Sequence, residues 1–136
     1  MKRLLFVIAL CSIGTASATC KVPESIEGKD FIMAISASYS PTNPMAGNVY
    51  KMQYRSDKKY NYKVLNNGND YSGQYQYKRI ADNIGIISSE EMFGEKLAKY
   101  TLTLICDNDN SGVYFYQQSD GVAGNRSNTS RYYLLN

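Results

Sequence analysis

Polar and apolar residues alternate with a period of two along most of this chain. Tyr71, Gly73, Tyr75 and Tyr77 share one parity while Ser72, Gln74, Gln76 and Lys78 share the other, the pattern of a strand with one face in water. Tyr50, Met52 and Tyr54 alternate in the same way with Lys51, Gln53 and Arg55, and Tyr60, Tyr62 and Val64 with Lys59, Asn61 and Lys63. A further strand is predicted over residues 31–39, where Phe31, Met33, Ile35, Ala37 and Tyr39 form one row and the other turns polar at Ser36 and Ser38. Residues 84–87, 100–106, 111–116 and 131–135 complete eight candidate strands.

The intervening segments carry turn chemistry. Residues 40–47 hold Pro41, Pro44 and Gly47, Ser56-Asp57-Lys58 and Asp82-Asn83 reverse the chain, and Asn66-Asn67-Gly68-Asn69 suits a tight hairpin. Residues 119–130 are rich in Gly, Asn and Ser and read as a mobile loop. Residues 88–99 alone have helical features: Ser88 and Glu91 are spaced as a capping box, with Gly94 as an interruption. A single helical turn or a long hairpin loop both fit. Glu90, Glu91 and Glu95 in this segment read as a solvated charge run.

One phrase occurs twice, as Ser72-Gly73-Gln74-Tyr75-Gln76-Tyr77 and Ser111-Gly112-Val113-Tyr114-Phe115-Tyr116. In the second copy Val113 and Phe115 make both parities apolar, which predicts a strand covered on both sides. The copies lie 39 residues apart, a propeller-blade spacing, but two blades cannot close a propeller. Eight antiparallel strands joined by short turns predict an all-β, up-and-down barrel, since closure removes exposed strand edges. A two-sheet β-sandwich is the alternative.

Tyr75-x-Tyr77, Asp82-Asn83-Ile84-Gly85, Tyr100-Thr101-Leu102-Thr103-Leu104 and Ser111-Gly112-x-Tyr114 form a series over about residues 47–118. It resembles a group of small exported bacterial calycin-like (lipocalin-like) barrels, many of them lipoproteins. The resemblance implies a calycin-like barrel and brings no catalytic residues with it. The chain departs from the lipoprotein members because Ser17-Ala18-Thr19, and not a lipobox, precedes Cys20.

The N-terminus adds the compartment. Lys2 and Arg3, an apolar run from Leu4 to Cys11 and the small residues Ala16-Ser17-Ala18 make a secretory signal peptide over residues 1–18. Cleavage near Ala18 would leave a single domain over 19–136, periplasmic or secreted. The apolar run is shorter than the roughly 20 residues of a membrane helix, so no stable membrane insertion is expected. Loss of Lys2 and Arg3 brings 15 basic residues to 13 against 12 acidic ones, and no basic cluster marks a nucleic-acid binder. Cys11 leaves with the signal, so Cys20 and Cys106 form an even pair in an oxidising compartment and are expected to be disulfide-bonded. Lipid anchoring at Cys20 is the lesser reading.

The chain has no histidine, which removes the usual general base, the Ser-His and Cys-His pairs and the commonest zinc ligand. No catalytic residues and no cofactor are expected, and the protein is read as non-enzymatic. Asp107-Asn108-Asp109-Asn110-Ser111-Gly112 resembles the first half of a calcium loop, with Asp107 and Asp109 as its carboxylates. Gln118 stands where the bidentate Glu should be, so an ordinary β-turn is the preferred reading. Asn125-Arg126-Ser127 and Asn128-Thr129-Ser130 match glycosylation sequons, read here as the product of a polar loop.

The tyrosines are the remaining signal. All 13 lie beyond the signal peptide, beside only Phe31, Phe93 and Phe115 and no Trp. A buried phenol needs a hydrogen-bond partner or water, so inward tyrosines imply either hydroxyls that reach a barrel end or a partly wet aromatic cavity. Tyr54, Tyr75, Tyr77, Tyr114 and Tyr116 are the candidate ligand-binding residues for a small amphipathic molecule. A protein partner docked on the loops at 40–47 and 119–130 is the competing reading, as for a periplasmic inhibitor or immunity protein directed at a cell-wall hydrolase or toxin. A surface structural or adhesive role is third. Asp120 is the only acid in those loops, which disfavours an inhibitor of a cationic lysozyme.

Overall fold

A computed structural model describes residues 20–121 and 124–135; the proposed signal peptide lies outside the described residues. These residues form a closed antiparallel barrel of eight strands in sequence order. The strands are β1 (Asp30–Ala34), β2 (Val49–Tyr54), β3 (Lys59–Val64), β4 (Asp70–Ala81), β5 (Ile84–Phe93), β6 (Lys96–Asn108), β7 (Ser111–Asp120) and β8 (Arg126–Leu135). β8 returns to β1 through pairs such as Tyr132 with Met33, so the up-and-down barrel holds and the sandwich does not.

The period-two rows decide which side chains enter the barrel. Phe31, Met33, Met52, Tyr54, Tyr60, Tyr75, Leu102, Leu104, Tyr114 and Tyr132 are all buried in one cluster, while Ser72, Gln74, Gln76 and Lys78 face water. Aromatic edges lock the core, with Phe31 on Tyr54 at 5.5 Å and Tyr54 on Tyr75 at 4.8 Å between ring centroids.

Four expectations are corrected. Residues 88–99 contain neither a helical turn nor a long loop: β5 continues to Phe93 and β6 begins at Lys96. Ten cross-strand pairs from Ile84↔Ile105 to Phe93↔Lys96 outweigh the capping-box signal, and Gly94 makes the turn with φ of +62°. The first strand ends at Ala34 and not at residue 39; Tyr39 is 75% exposed in the loop that follows. The loop expected at 119–130 is much shorter, because β7 runs to Asp120 and β8 starts at Arg126. Phe115 is 45% exposed, since its parity points outward between Thr103 and Thr129 and no further layer covers that face.

One barrel end is plugged by the segment before β1. Cys20 is joined to Cys106, the pairing expected from the sequence. Downstream of it Val22 and Ile26 are buried. Val22 N donates to Asp82 O at 2.8 Å and Gly28 N to Tyr54 O at 2.8 Å, stitching the segment to the strand ends. The disulfide thus does more than close a loop: it holds a stopper in place.

Candidate functional site

The plug divides the inward tyrosines into two groups. Tyr75 Oη donates to Arg55 O at 2.8 Å and Tyr77 Oη to Pro23 O at 2.6 Å, so both hydroxyls are spent at the plugged end. Burial pushes the Tyr77 phenol up to about 12. Tyr54 packs in the core between Phe31 and Tyr75. Of the five candidate tyrosines, Tyr54, Tyr75 and Tyr77 therefore lie outside the wall of the barrel's cavity, whereas Tyr114 and Tyr116 are part of it.

That cavity, of about 300 Å³, occupies the opposite half of the barrel. Its floor is apolar, made by Met33, Met52, Leu102 and Tyr114. Tyr50, Tyr62, Tyr71, Tyr100, Tyr116 and Phe93 supply an aromatic wall, and Thr42 to Met45 of the β1–β2 loop form the rim. The loop is held by its own hydrogen bonds: Asn43 Nδ2 donates to Ser38 O at 2.8 Å and to Ser36 O at 3.2 Å, and Ser127 N reaches across from β8 to Thr42 O at 3.1 Å. Asn43 Oδ1 is buried at the rim and has no hydrogen-bond partner among the described residues.

Two charged side chains enter this cavity, and sequence reasoning assigned a role to neither. Glu91 on β5 is 2% exposed. It follows Ile87 and Ser89 on the inward row, which breaks up the supposed charge run: Glu90 and Glu95 face water, and Glu90 pairs with Lys99 at 3.0 Å. Tyr62 Oη donates to Glu91 Oε1 and Tyr60 Oη to Oε2, each at 3.0 Å. Tyr100 Oη in turn donates to Tyr60 Oη at 2.7 Å. Burial raises the Glu91 carboxyl from 4.5 to about 7, against the opposing pull of the two tyrosine donors. Burial likewise keeps Tyr60, Tyr62 and Tyr100 protonated well above the ordinary phenol range.

Arg126 at the start of β8 is the second charge. Its Nε is buried and has no hydrogen-bond partner among the described residues, and no ion pair joins it to Glu91. Burial raises the Tyr50 and Tyr116 phenols; Glu91 adds to that rise and Arg126 opposes it. The two charges are thus set on different walls of one aromatic chamber. Period-two counting from Ile87 would have found Glu91 in the sequence; nothing local marks Arg126.

No family model, curated protein or solved structure matches the chain.

The acidic turn behaves as a turn. Asp107 Oδ2 accepts from Arg131 Nη2 at 2.5 Å, Asp109 Oδ1 accepts from Lys21 N at 2.9 Å, and Asn108 Oδ1 accepts from Asn110 N at 2.9 Å. Among the described residues no three His, Cys, Asp or Glu side chains converge as a metal site. No described helix is long and apolar enough to cross a membrane.

Proposed function

We propose that this protein is an exported, non-enzymatic binding protein that holds a small amphipathic molecule in the half of its barrel lined by Tyr50, Tyr62, Tyr100, Tyr114 and Tyr116. The observation that carries the reading is the chamber itself: about 300 Å³ of space inside the barrel, apolar at its floor and bearing a few converging polar groups. Ligand sites have this form, and well-packed cores do not leave such volumes. At about 30 Å³ per water, the space matches roughly ten waters or a ligand of about that many heavy atoms. The Cys20–Cys106 disulfide supports an oxidising compartment.

The lack of histidine, which removes the Ser-His and Cys-His pairs, supports binding over catalysis. The Glu91 oxygens accept hydrogen bonds from Tyr60 and Tyr62, which position the carboxyl group in the chamber. A second reading, docking of a protein on the loop at 35–48, is favoured by the exposure of Tyr39 and Met45 on a loop that Asn43 holds in shape.

Native mass spectrometry of the mature protein, first gentle and then denaturing, tests the choice. A small-molecule mass lost on denaturation is the expected result. A bare chain that is also not stabilised by any amphipathic probe would reject the cavity reading and turn attention to the loop.

A further inference from the structure

Resting on the cavity reading above, we infer that the ligand is a zwitterion whose ammonium and carboxylate groups sit at opposite ends of an apolar spacer, the ammonium meeting Glu91 and the carboxylate meeting Arg126. Each Glu91 oxygen accepts one tyrosine hydroxyl, which leaves about half of the carboxylate's lone-pair sites for another donor. Arg126 Nε is buried and has no acceptor among the described residues. Both groups belong to the same chamber.

A ligand charged at one end would leave either the Glu91 carboxyl with no charged partner or the buried Arg126 Nε with no acceptor, which is costly. A ligand with two like charges would meet repulsion at one end. Only opposite charges answer both groups. Their separation follows from the strand order: Glu91 stands on β5 and Arg126 on β8, with β6 and β7 between them at about 4.8 Å per strand spacing, so adjacent charges, as in an α-amino acid, suit the site less well than an ω-amino acid does. The aromatic wall adds cation–π attraction for the ammonium, and the Met33, Met52 and Leu102 floor takes the spacer.

Isothermal titration of the mature protein with 8-aminooctanoate, 6-aminohexanoate, 4-aminobutanoate, octanoate, octylamine and octanol tests this. The expected result is that an ω-amino acid binds at least about tenfold more tightly than both octanoate and octylamine. Glu91→Gln should remove the advantage over octanoate, and Arg126→Gln the advantage over octylamine. If octanoate or octylamine binds as well as the best zwitterion, the inference is overturned while the cavity reading stands. If none of the six binds, octanol included, both fail.

The wild-type comparison decides the matter even where a variant does not fold. A second readout is proton release. The groups facing Glu91 are Tyr60 and Tyr62 of β3 and Tyr100 of β6, with Tyr50, Tyr71, Tyr116 and Arg126 in the same chamber. Burial holds Tyr60, Tyr62 and Tyr100 neutral, so Glu91 is the group that titrates near neutrality. An arriving ammonium should expel its proton at pH 7, measurable as a dependence of the binding heat on buffer ionisation heat. Octanoate should show no such release, and a zwitterion that binds without it overturns the assignment of Glu91.

Discussion

Tyr60 donates its hydroxyl proton to the buried carboxyl of Glu91 at 3.0 Å while accepting one from Tyr100 at 2.7 Å. The pair links β3 to β5 across the interior, over the inward-facing Gly73 of β4, which pairs with both residues. A Cβ at Gly73 would fall 2.5 Å from Tyr60 Oη and 2.3 Å from Glu90 O. The glycine of the repeated Ser-Gly-x-Tyr phrase is therefore what lets a phenol reach a carboxyl two strands away. The chain thus carries an ionisable group in its core by surrounding it with tyrosine donors.

Glu91 should make stability fall as pH rises. An acid raised from 4.5 to about 7 in the fold binds more protons folded than unfolded between those values. Its contribution is full below pH 4.5 and lost progressively up to about pH 7, with no recovery above. The gap corresponds to roughly 3 kcal/mol. Urea denaturation of wild type and Glu91→Gln at pH 5, 6, 7 and 8 should show the wild type losing stability relative to the variant across the series. Parallel curves would exclude Glu91 as the source.

Removing a donor should push the carboxyl further. Tyr62→Phe deletes the hydrogen bond to Oε1, one of the two interactions that hold the Glu91 pKa down. The Glu91 midpoint, followed by carbon-13 NMR of the side-chain carboxyl, should move above 7. The variant should lose about 1 kcal/mol of stability at pH 5. A midpoint that stays or falls would show that Tyr62 does not stabilise the charged form.

The barrel was legible in the chain because strand parity is a local property: Tyr71, Gly73, Tyr75 and Tyr77 announce an inward row wherever the strand sits. What separates Tyr75 and Tyr77 from Tyr114 and Tyr116 is height along the barrel, and height depends on register between strands and on the plug. The Pro23 carbonyl that receives the Tyr77 hydroxyl is 54 residues away in sequence, beyond the reach of any periodicity. Glu91 was obscured for a different reason. Ser88, Glu91 and Gly94 carry the residue types of a helix start and stop, and only pairing with β6, Glu91 opposite Ala98, overrules them. Arg126 lay in a stretch whose composition reads as loop, although its residues 126–130 all pair with β7.

The disulfide should matter to the plug more than to the barrel wall. Opening the 86-residue span between Cys20 and Cys106 removes about 4.5 kcal/mol on the chain-entropy account. It also frees the segment that buries Val22 and Ile26. The double variant Cys20→Ser/Cys106→Ser should show a lower urea midpoint. Hydrogen exchange should rise first at Val22 N and Gly28 N, whose bonds to Asp82 and Tyr54 tie the plug down. Uniformly faster exchange with no preference for the plug would mean that the segment does not open separately from the strands.

Gly112 should tolerate no side chain, although its backbone is ordinary strand. A Cβ there would lie 2.0 Å from Ile105 O, 2.7 Å from Cys106 Cα and 2.8 Å from Cε1 of Tyr132. Two of these neighbours are backbone of β6, next to the disulfide and at a register shift between Cys106 and Asn108, so they cannot swing aside as a flexible side chain would. Gly112→Ala should cost upwards of about 3 kcal/mol, the top of the range for overpacking. Phe115→Thr on the outward face of the same strand should fall within about 0.5 kcal/mol of wild type, since Phe115 is 45% exposed and flanked by Thr103 and Thr129. Denaturation midpoints for the two variants side by side decide it: comparable losses would mean that the outer face is covered after all, and a mild effect at Gly112 would mean that β6 can yield where the packing says it cannot.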